Sequence, residues 1–149
     1  MKEVRRPLIR ALQDLHAGEI AAARAYRGHS IRVRDPDVRR RIRAIEDEEW
    51  AHREDLSRML AALGASPDPL RERLKGLLGS VLQILCARFP EWLLAAVAAW
   101  LEHKGATEYR NAALLAQSAG ESGMAQTLLD HADVEEAHGV YFDHLKRLR

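Results

Sequence analysis

The sequence contains two glutamate–histidine pairs with identical spacing, and both residue types can bind metal ions. Glu49 and His52 form one Glu-x-x-His motif, and Glu135 and His138 form the other. Residues three apart on an α-helix lie on the same face, about 5 Å from each other. A carboxylate and an imidazole placed in this way can bind one metal ion together. One such motif in a glutamate-rich chain is more often a surface pair, so a single copy indicates little.

A second repeated motif, Glu-x6-Tyr, precedes each Glu-x-x-His motif. Its copies are Glu19 with Tyr26 and Glu102 with Tyr109. Seven residues make nearly two helical turns, so glutamate and tyrosine share one face. Each phenol can then hydrogen-bond to a metal-bound carboxylate from a neighbouring helix. The same order of motifs in both halves of the chain indicates an internal repeat of two helical hairpins.

Proline, glycine and capping residues divide the chain into helices. We predict four long helices over about residues 5–29, 36–63, 90–118 and 122–149, because their apolar residues recur three and four apart. Asp35-Pro36 is a helix start signal, and Gly64 is a C-terminal cap. A shorter helix over 70–88, roughly 27 Å long, can return the chain along the bundle. The pattern predicts an all-α, ferritin-like four-helix bundle with a long helical crossover between helices 2 and 3.

The motifs of each hairpin lie at matching heights. Glu19 is roughly 17 Å from the end of its predicted helix, and Glu49 is roughly 20 Å from the start of the next. Glu102 is roughly 24 Å from the end of its helix, and Glu135 is roughly 20 Å into the last one. All four carboxylates are therefore expected near mid-bundle. The predicted metal ligands are Glu19, Glu49, His52, Glu102, Glu135 and His138.

The donor types indicate which metal these residues would hold. Carboxylates and imidazoles without a thiolate suit iron, manganese or zinc. Six side chains for two ions leave positions open for oxygen species. We therefore predict two iron ions per chain, with manganese or zinc as substitutes in a purified sample.

One stretch resembles a known family. His16-Ala17-Gly18-Glu19, followed by Tyr26, resembles the His-Ala-Gly-Glu segment of the demethoxyubiquinone hydroxylases, which are ferritin-like di-iron monooxygenases of ubiquinone biosynthesis. The remaining motifs match that family's ligand set in order, and the resemblance covers most of the chain. Residues 76–79 and the apolar run to Leu101 also resemble the family's quinone- and membrane-facing region.

The resemblance implies a role for each motif residue. The six predicted ligands would bind iron, with Glu49 and Glu135 as the bridging carboxylates. Tyr26 and Tyr109 would orient ligands. The implied reaction is a monooxygenation, in which dioxygen is activated and an apolar aromatic, quinone-like substrate is hydroxylated.

Related di-iron proteins supply the alternatives. Bacterioferritins share the six ligands, but Trp50 stands where their haem methionine would be. Rubrerythrins carry an extra carboxylate where this chain has Gly105, and no cysteine-rich rubredoxin part is present. A ferritin- or rubrerythrin-like protein with ferroxidase, peroxide-consuming or iron-handling activity is therefore the competing prediction.

Length and composition set the remaining expectations. The 149 residues predict one domain over residues 1–149, with a net charge of +1 and 30% charged residues. The arginine run at 39–43 is followed by acidic residues and favours a solvated helix face over nucleic-acid binding. The single cysteine, Cys86, excludes an intrachain disulfide. This fits a reducing, cytoplasmic location.

An apolar run over residues 89–101 allows two interpretations. We favour a buried half-helix. The alternative is a face that contacts an apolar substrate, another subunit or the inner surface of a membrane. We expect a homo-oligomer that uses dioxygen or peroxide, with a reductant that the sequence does not identify. The remaining histidines form no ligand pattern of their own; they are His16, His29, His103, His131 and His144.

Overall fold

The structure is a computed structural model that describes residues 2–148. These residues form five helices: α1 (Lys2–Arg32), α2 (Pro36–Ala62), α3 (Pro69–Cys86), α4 (Glu91–Ser118) and α5 (Ser122–Leu145). The described part of the chain contains no strand, and the predicted all-α class is confirmed. The first helix is longer than predicted. The last one ends at Leu145 rather than at the C-terminus, and positions 1 and 149 lie outside the described residues.

Local sequence signals fix the helix ends. The carboxylate of Asp35 accepts hydrogen bonds from the backbone N–H groups of Asp37 and Val38, which caps α2. Asp68 caps α3 in the same way. Gly64 and Gly120 adopt φ of 69° and 79° after α2 and α4. Glycine is favoured there because other residues rarely adopt this left-handed conformation.

Four helices form the bundle, and side-chain pairs fix their directions. Tyr26 contacts Glu102 and Glu19 contacts Tyr109, so α1 and α4 are antiparallel. The helices of each hairpin, α1 with α2 and α4 with α5, also pack against each other. The bundle is ferritin-like, as predicted.

The third helix is the crossover, and it runs parallel to α1. Asp14 pairs with Arg71 near the start of α3, and Arg24 donates to Ser80 further along. The contact is close because glycines face it. A Cβ atom at Gly79 would lie 2.8 Å from the Cα atom of Ala21. Helix α3 therefore lies on the outside of α1 and returns the chain along the bundle.

Two apolar layers lie above and below a polar layer. One layer is built from the first half of α1 and the second half of α2, with Leu12 and Leu60 among its members. The other lies towards the opposite end of the bundle and includes Tyr26, Ile45 and Phe142. The predicted ligand residues fall between the two layers, so water is excluded from them at both ends.

We predicted that the apolar run 89–101 is a buried half-helix, and this prediction is wrong for one face of the run. Leu94 and Ala98 are buried, but Trp92, Val97 and Trp100 are 54%, 48% and 63% exposed. No helix among the described residues is long and apolar enough to cross a membrane. The exposed face therefore remains on the surface of the described chain.

Candidate metal centre

Four bundle helices bring the predicted ligands into one buried cluster. Helix α1 contributes Glu19, α4 contributes Glu102, and α2 and α5 each contribute a glutamate and a histidine. Every one of these side chains is buried. The six residues are Glu19, Glu49, His52, Glu102, Glu135 and His138.

The donor atoms divide into two overlapping groups. Glu19 and His52 belong to one group, and Glu102 and His138 belong to the other. Glu49 and Glu135 belong to both groups. Within each group, one donor atom from every residue lies within 4.8 Å of the others. The described residues thus form buried glutamate–histidine clusters that can hold a metal ion.

Several donor atoms in the cluster lack hydrogen-bond partners among the described residues. They are Oε1 of Glu49, Nδ1 of His52 and Oε1 of Glu135. Nδ1 of His52 lies 3.0 Å from Oε1 of Glu135, yet the two do not form a hydrogen bond. Buried polar atoms are normally paired, because leaving one unpaired costs about 1–3 kcal/mol. A cation between these atoms would satisfy them, so the donor set fits a metal ion.

The pKa values of the buried carboxyl groups show that ionised carboxylates are unfavourable in this cluster unless a cation balances their charge. Burial raises the pKa of Glu19, and it raises the pKa values of Glu49 and Glu135 well above the ordinary range. Repulsion between the neighbouring carboxylates raises the latter two further. A metal ion would reverse both effects, because its positive charge stabilises the ionised form.

The two histidines differ in their protonation. Burial lowers the pKa of His52 to about 3, so this imidazole is neutral at physiological pH. Burial also acts to lower the pKa of His138, but hydrogen bonds with Glu102 and Glu48 hold it above the ordinary value. Nδ1 of His138 lies 3.3 Å from Oε2 of Glu102 and 3.4 Å from Oε1 of Glu49. In the metal-free cluster, these carboxylates therefore favour the protonated form of His138, whose charge offsets part of theirs.

The two tyrosines make reciprocal contacts between α1 and α4. The phenol of Tyr26 donates a hydrogen bond to Oε1 of Glu102, and the phenol of Tyr109 donates to Oε1 of Glu19. Each tyrosine thus contacts the carboxylate of the other copy of its motif. These bonds fix the orientation of the Glu19 and Glu102 carboxylates, each of which belongs to only one of the two donor groups.

Two residues beside the histidines were not predicted. Oε2 of Glu48 contacts Nε2 of His138, which leaves Nδ1 facing the cluster. The ring of His131 lies 4.2 Å from the ring of His52. His131 is four residues before Glu135, so helical spacing contains a signal for it. Glu48 lies beside Glu49 but about 100° around the helix, and no sequence pattern links it to His138.

A groove of about 550 Å³ leads from the surface to the cluster. It lies between α1, α3 and α4, and its walls include Leu78, Leu82, Val97 and Leu101. Small residues of α1 line it as well, and Lys75, Lys104 and Glu108 add charged groups. All four glutamates of the cluster are among its lining residues. The cluster is therefore accessible to an apolar molecule of moderate size.

Fold and site together define a ferritin-like helical bundle with a buried glutamate–histidine cluster able to hold metal. Within that class, residues 3–145 match a family model described as "Domain of unknown function (DUF892)", and the chain belongs to this family. No curated protein matches the chain significantly. The named resemblance to the demethoxyubiquinone hydroxylases therefore rests on the motif residues alone.

Proposed function

We propose that this protein is a di-iron, oxygen-activating oxidoreductase that hydroxylates an apolar, quinone-like substrate. One observation carries the proposal. Two donor groups share Glu49 and Glu135, and the same carboxylates line an apolar groove. The shared carboxylates favour a pair of ions, and the groove favours an organic substrate beside them.

Charge balance supports two divalent ions rather than one. The cluster contains four carboxylates, among them Glu19 and Glu102. Two divalent cations would neutralise these four charges, whereas one would leave two buried negative charges uncompensated. Oxygen and nitrogen donors without a thiolate suit iron. Glu49 and Glu135 belong to both donor groups and would therefore help to hold both ions.

The chain's residues would position these ions and exclude water. Tyr26 and Tyr109 donate hydrogen bonds that hold Glu102 and Glu19 in place. Glu48 holds the ring of His138 through Nε2. Reduced iron, when bound, would supply the activation of dioxygen. The apolar walls would exclude bulk water from the reacting carbon.

The proposed reaction balances with an external reductant. One atom of dioxygen becomes the hydroxyl group that replaces a ring hydrogen, and the other leaves as water. Two electrons and two protons come from the reductant. The charged residues Lys75, Lys104 and Glu108 along the groove are suited to hold the polar substituents of such a ring, while Leu78 and Leu82 contact its apolar part.

A ferroxidase or peroxide-consuming function is the second candidate, because a separate cleft reaches the cluster. This cleft lies between α2 and α5 and is lined by His52 and His138 together with Asp133 and Glu48, the latter paired with Arg41. Acidic groups beside the two histidines suit the passage of cations. Such a protein would use this cleft for iron and would have no need for the apolar groove.

A groove variant separates the two candidates. Gly18 lines the groove beside Glu19, and a Cβ atom there meets no other atom within 4 Å. We expect Gly18→Leu to fill the groove while iron loading and substrate-independent iron oxidation remain. Gly123→Leu is the control, because Gly123 is exposed and has open space around it.

The measurement is oxygen uptake after anaerobic iron loading, with and without a soluble quinone analogue. Wild type and Gly123→Leu should bind two irons per chain and consume additional oxygen when the analogue is added. Gly18→Leu should bind the same iron and lose that additional uptake. Unchanged substrate-dependent uptake in Gly18→Leu would show that the substrate does not use this groove. No substrate-dependent uptake in wild type would eliminate the hydroxylase and leave the ferroxidase.

A further inference from the structure

The outer face of α3 carries a regular row of exposed apolar side chains. The row consists of Leu70, Leu74, Leu77, Val81 and Ile84, each between 46% and 66% exposed. Their spacing alternates between four and three residues, which is the heptad pattern of a seam between two packed helices. Buried glycines on the opposite face of α3 pack towards α1. The row therefore points away from the bundle, and we call it the α3 stripe.

The area of this surface is close to that of a protein interface. On the same helix, Leu78 and Leu85 are 46% and 40% exposed, and Leu78 lines the groove together with Val97 and Leu101 of α4. Large apolar side chains exposed to this extent along one helix amount to several hundred Å², at or above the about 300–600 Å² of the largest patch on a typical monomer. A standard interface covers about 800 Å² on each partner. The α3 stripe together with Leu78 and Leu85 therefore approaches the area that one partner contributes to a specific contact between two folded chains.

The charges of α3 distinguish between parallel and antiparallel contact. Its charged residues, Arg71, Glu72, Arg73 and Lys75, all lie in the N-terminal half, and no charged residue follows until Arg88. Parallel pairing would place Arg73 and Lys75 next to their own copies and bring like charges together. Antiparallel pairing places them beside the uncharged C-terminal half, where the exposed carbonyl groups of a helix attract cations.

We propose that the α3 stripe is the interface with a second copy of this chain, related by a two-fold axis. The two α3 helices are antiparallel and cross at Leu77, which meets its own copy. Leu74 then packs on Val81 of the partner subunit, and Leu70 packs on Ile84 of the partner subunit. This self-complementary contact is the isologous kind found in most homodimers. Because Leu78 lies on the groove and borders the stripe, the partner helix also covers the α3 edge of the groove.

Mass measurement on the full chain tests the interface. Wild type should have twice the chain mass of 16.8 kDa. Leu77→Glu should weaken dimerisation by at least about 100-fold, because it buries two carboxylates at the axis. Leu114→Glu is the control, since Leu114 lies on α4 and is similarly exposed, at 60%. Circular dichroism checks that both variants fold. A dimer that survives Leu77→Glu overturns the proposal.

Cysteine cross-linking in a Cys86→Ser background tests the direction of the helices. Leu77→Cys should form a disulfide with its own copy, whereas Leu70→Cys alone should not. A mixture of Leu70→Cys and Ile84→Cys chains should cross-link. Self-cross-linking at position 70 would indicate parallel helices and refute the two-fold arrangement. Monomeric wild type that floats with anionic lipid vesicles, and loses this binding in Leu77→Glu, would assign the stripe to a membrane instead.

Discussion

A Cβ atom at Gly105 would lie 2.7 Å from Oε2 of Glu135, so the absence of a side chain at position 105 makes room for this carboxylate. Gly105 is three residues after Glu102 and therefore lies on the same face of α4. The atom in close contact is the end of a flexible side chain. A larger residue at position 105 would therefore move the carboxylate and leave the helices in place.

Gly105→Ala should reduce metal affinity without unfolding the protein. Displacing Glu135 disturbs both donor groups, and we expect about 10- to 100-fold weaker binding, as for other changes that misorient a ligand. Anaerobic titration with Fe²⁺ or Co²⁺ would measure this. Gly123→Ala is the matched control, because a Cβ atom there meets no other atom within 4 Å. Equal affinity in both variants would show that Glu135 does not need this space.

Removing a shared carboxylate should have opposite effects on the metal-free and metal-loaded protein. In the metal-free state, burial and neighbouring carboxylates raise the pKa of Glu49. A raised pKa in the folded state means that stability is lost as pH rises through it. At neutral pH, Glu49→Gln should therefore stabilise the metal-free protein, by about 1–3 kcal/mol. The same change should abolish stabilisation by added metal, and denaturant unfolding with and without Co²⁺ would measure both effects.

Glu46 provides the control for that substitution on the same helix. It is also buried, but its carboxylate accepts a hydrogen bond from Arg27 at 2.8 Å and lies 3.5 Å from Arg43. Glu46→Gln should destabilise the protein, by about 1 kcal/mol, because it removes an ion pair. Its metal binding should remain normal. If Glu49→Gln is destabilised without metal, Glu49 stabilises the metal-free fold. If added metal stabilises it as much as wild type, Glu49 is not a ligand.

The repeat in the sequence predicted the architecture because the two halves impose the same geometry. Identical spacings of Glu19 to Tyr26 and Glu102 to Tyr109 place equivalent groups at one height in antiparallel hairpins. The crossover helix followed from the length between Gly64 and Pro90. That six side chains act as metal ligands stays a prediction, since only their convergence is a structural observation.

Features that depend on contacts between helices were beyond the sequence. Glu48 reaches His138 only because α2 and α5 lie side by side at that height. The sequence also does not indicate which face of the run 89–101 is buried, because almost all residues of the run are apolar. Packing of α3 against α1 rather than against α4 decides which of them remain exposed.

Metal binding should release protons and should tighten as pH rises. Burial raises the pKa values of Glu19 and Glu135, so these groups hold protons at a pH where ordinary glutamates are ionised. His138, whose pKa is also raised, must lose its proton to coordinate through Nδ1. Calorimetric titration in two buffers of different ionisation enthalpy would count the protons. Buffer-independent heats would contradict the proposed ligand set.

The tyrosine that contacts Glu19 should affect metal affinity through that carboxylate. Tyr109→Phe removes the donated hydrogen bond and should weaken binding by about 10-fold. Tyr141→Phe is the control, because the ring of Tyr141 lies near Arg41 and packs on Phe142 away from the cluster. Direct metal titration of both variants, compared with wild type, would test this. Equal affinities would mean that Glu19 is held without the phenol.

Acid stability should depend on His29, a buried residue outside the cluster. Burial lowers its pKa from an ordinary value of 6.5 to about 4. As pH falls between these values, the unfolded chain binds a proton at His29 that the folded chain does not, so stability is lost. The full loss is about 3 kcal/mol. In metal-free protein, His29→Leu should therefore flatten the fall in unfolding free energy between pH 6.5 and 4.

His103 supplies a control, because its pKa shift has the opposite sign. Hydrogen bonding to Asp143 raises the pKa of this half-exposed imidazole. A group with a raised pKa stabilises the folded state fully below its unfolded pKa, so the contribution of His103 is constant between pH 6.5 and 4. His103→Gln should therefore lower the unfolding free energy without changing its slope in this range, whereas His29→Leu reduces the slope. Urea unfolding of wild type and both variants between pH 6.5 and 4 would measure how steeply the unfolding free energy falls with pH. The same slope in all three proteins would mean that His29 is accessible to protons in the folded state.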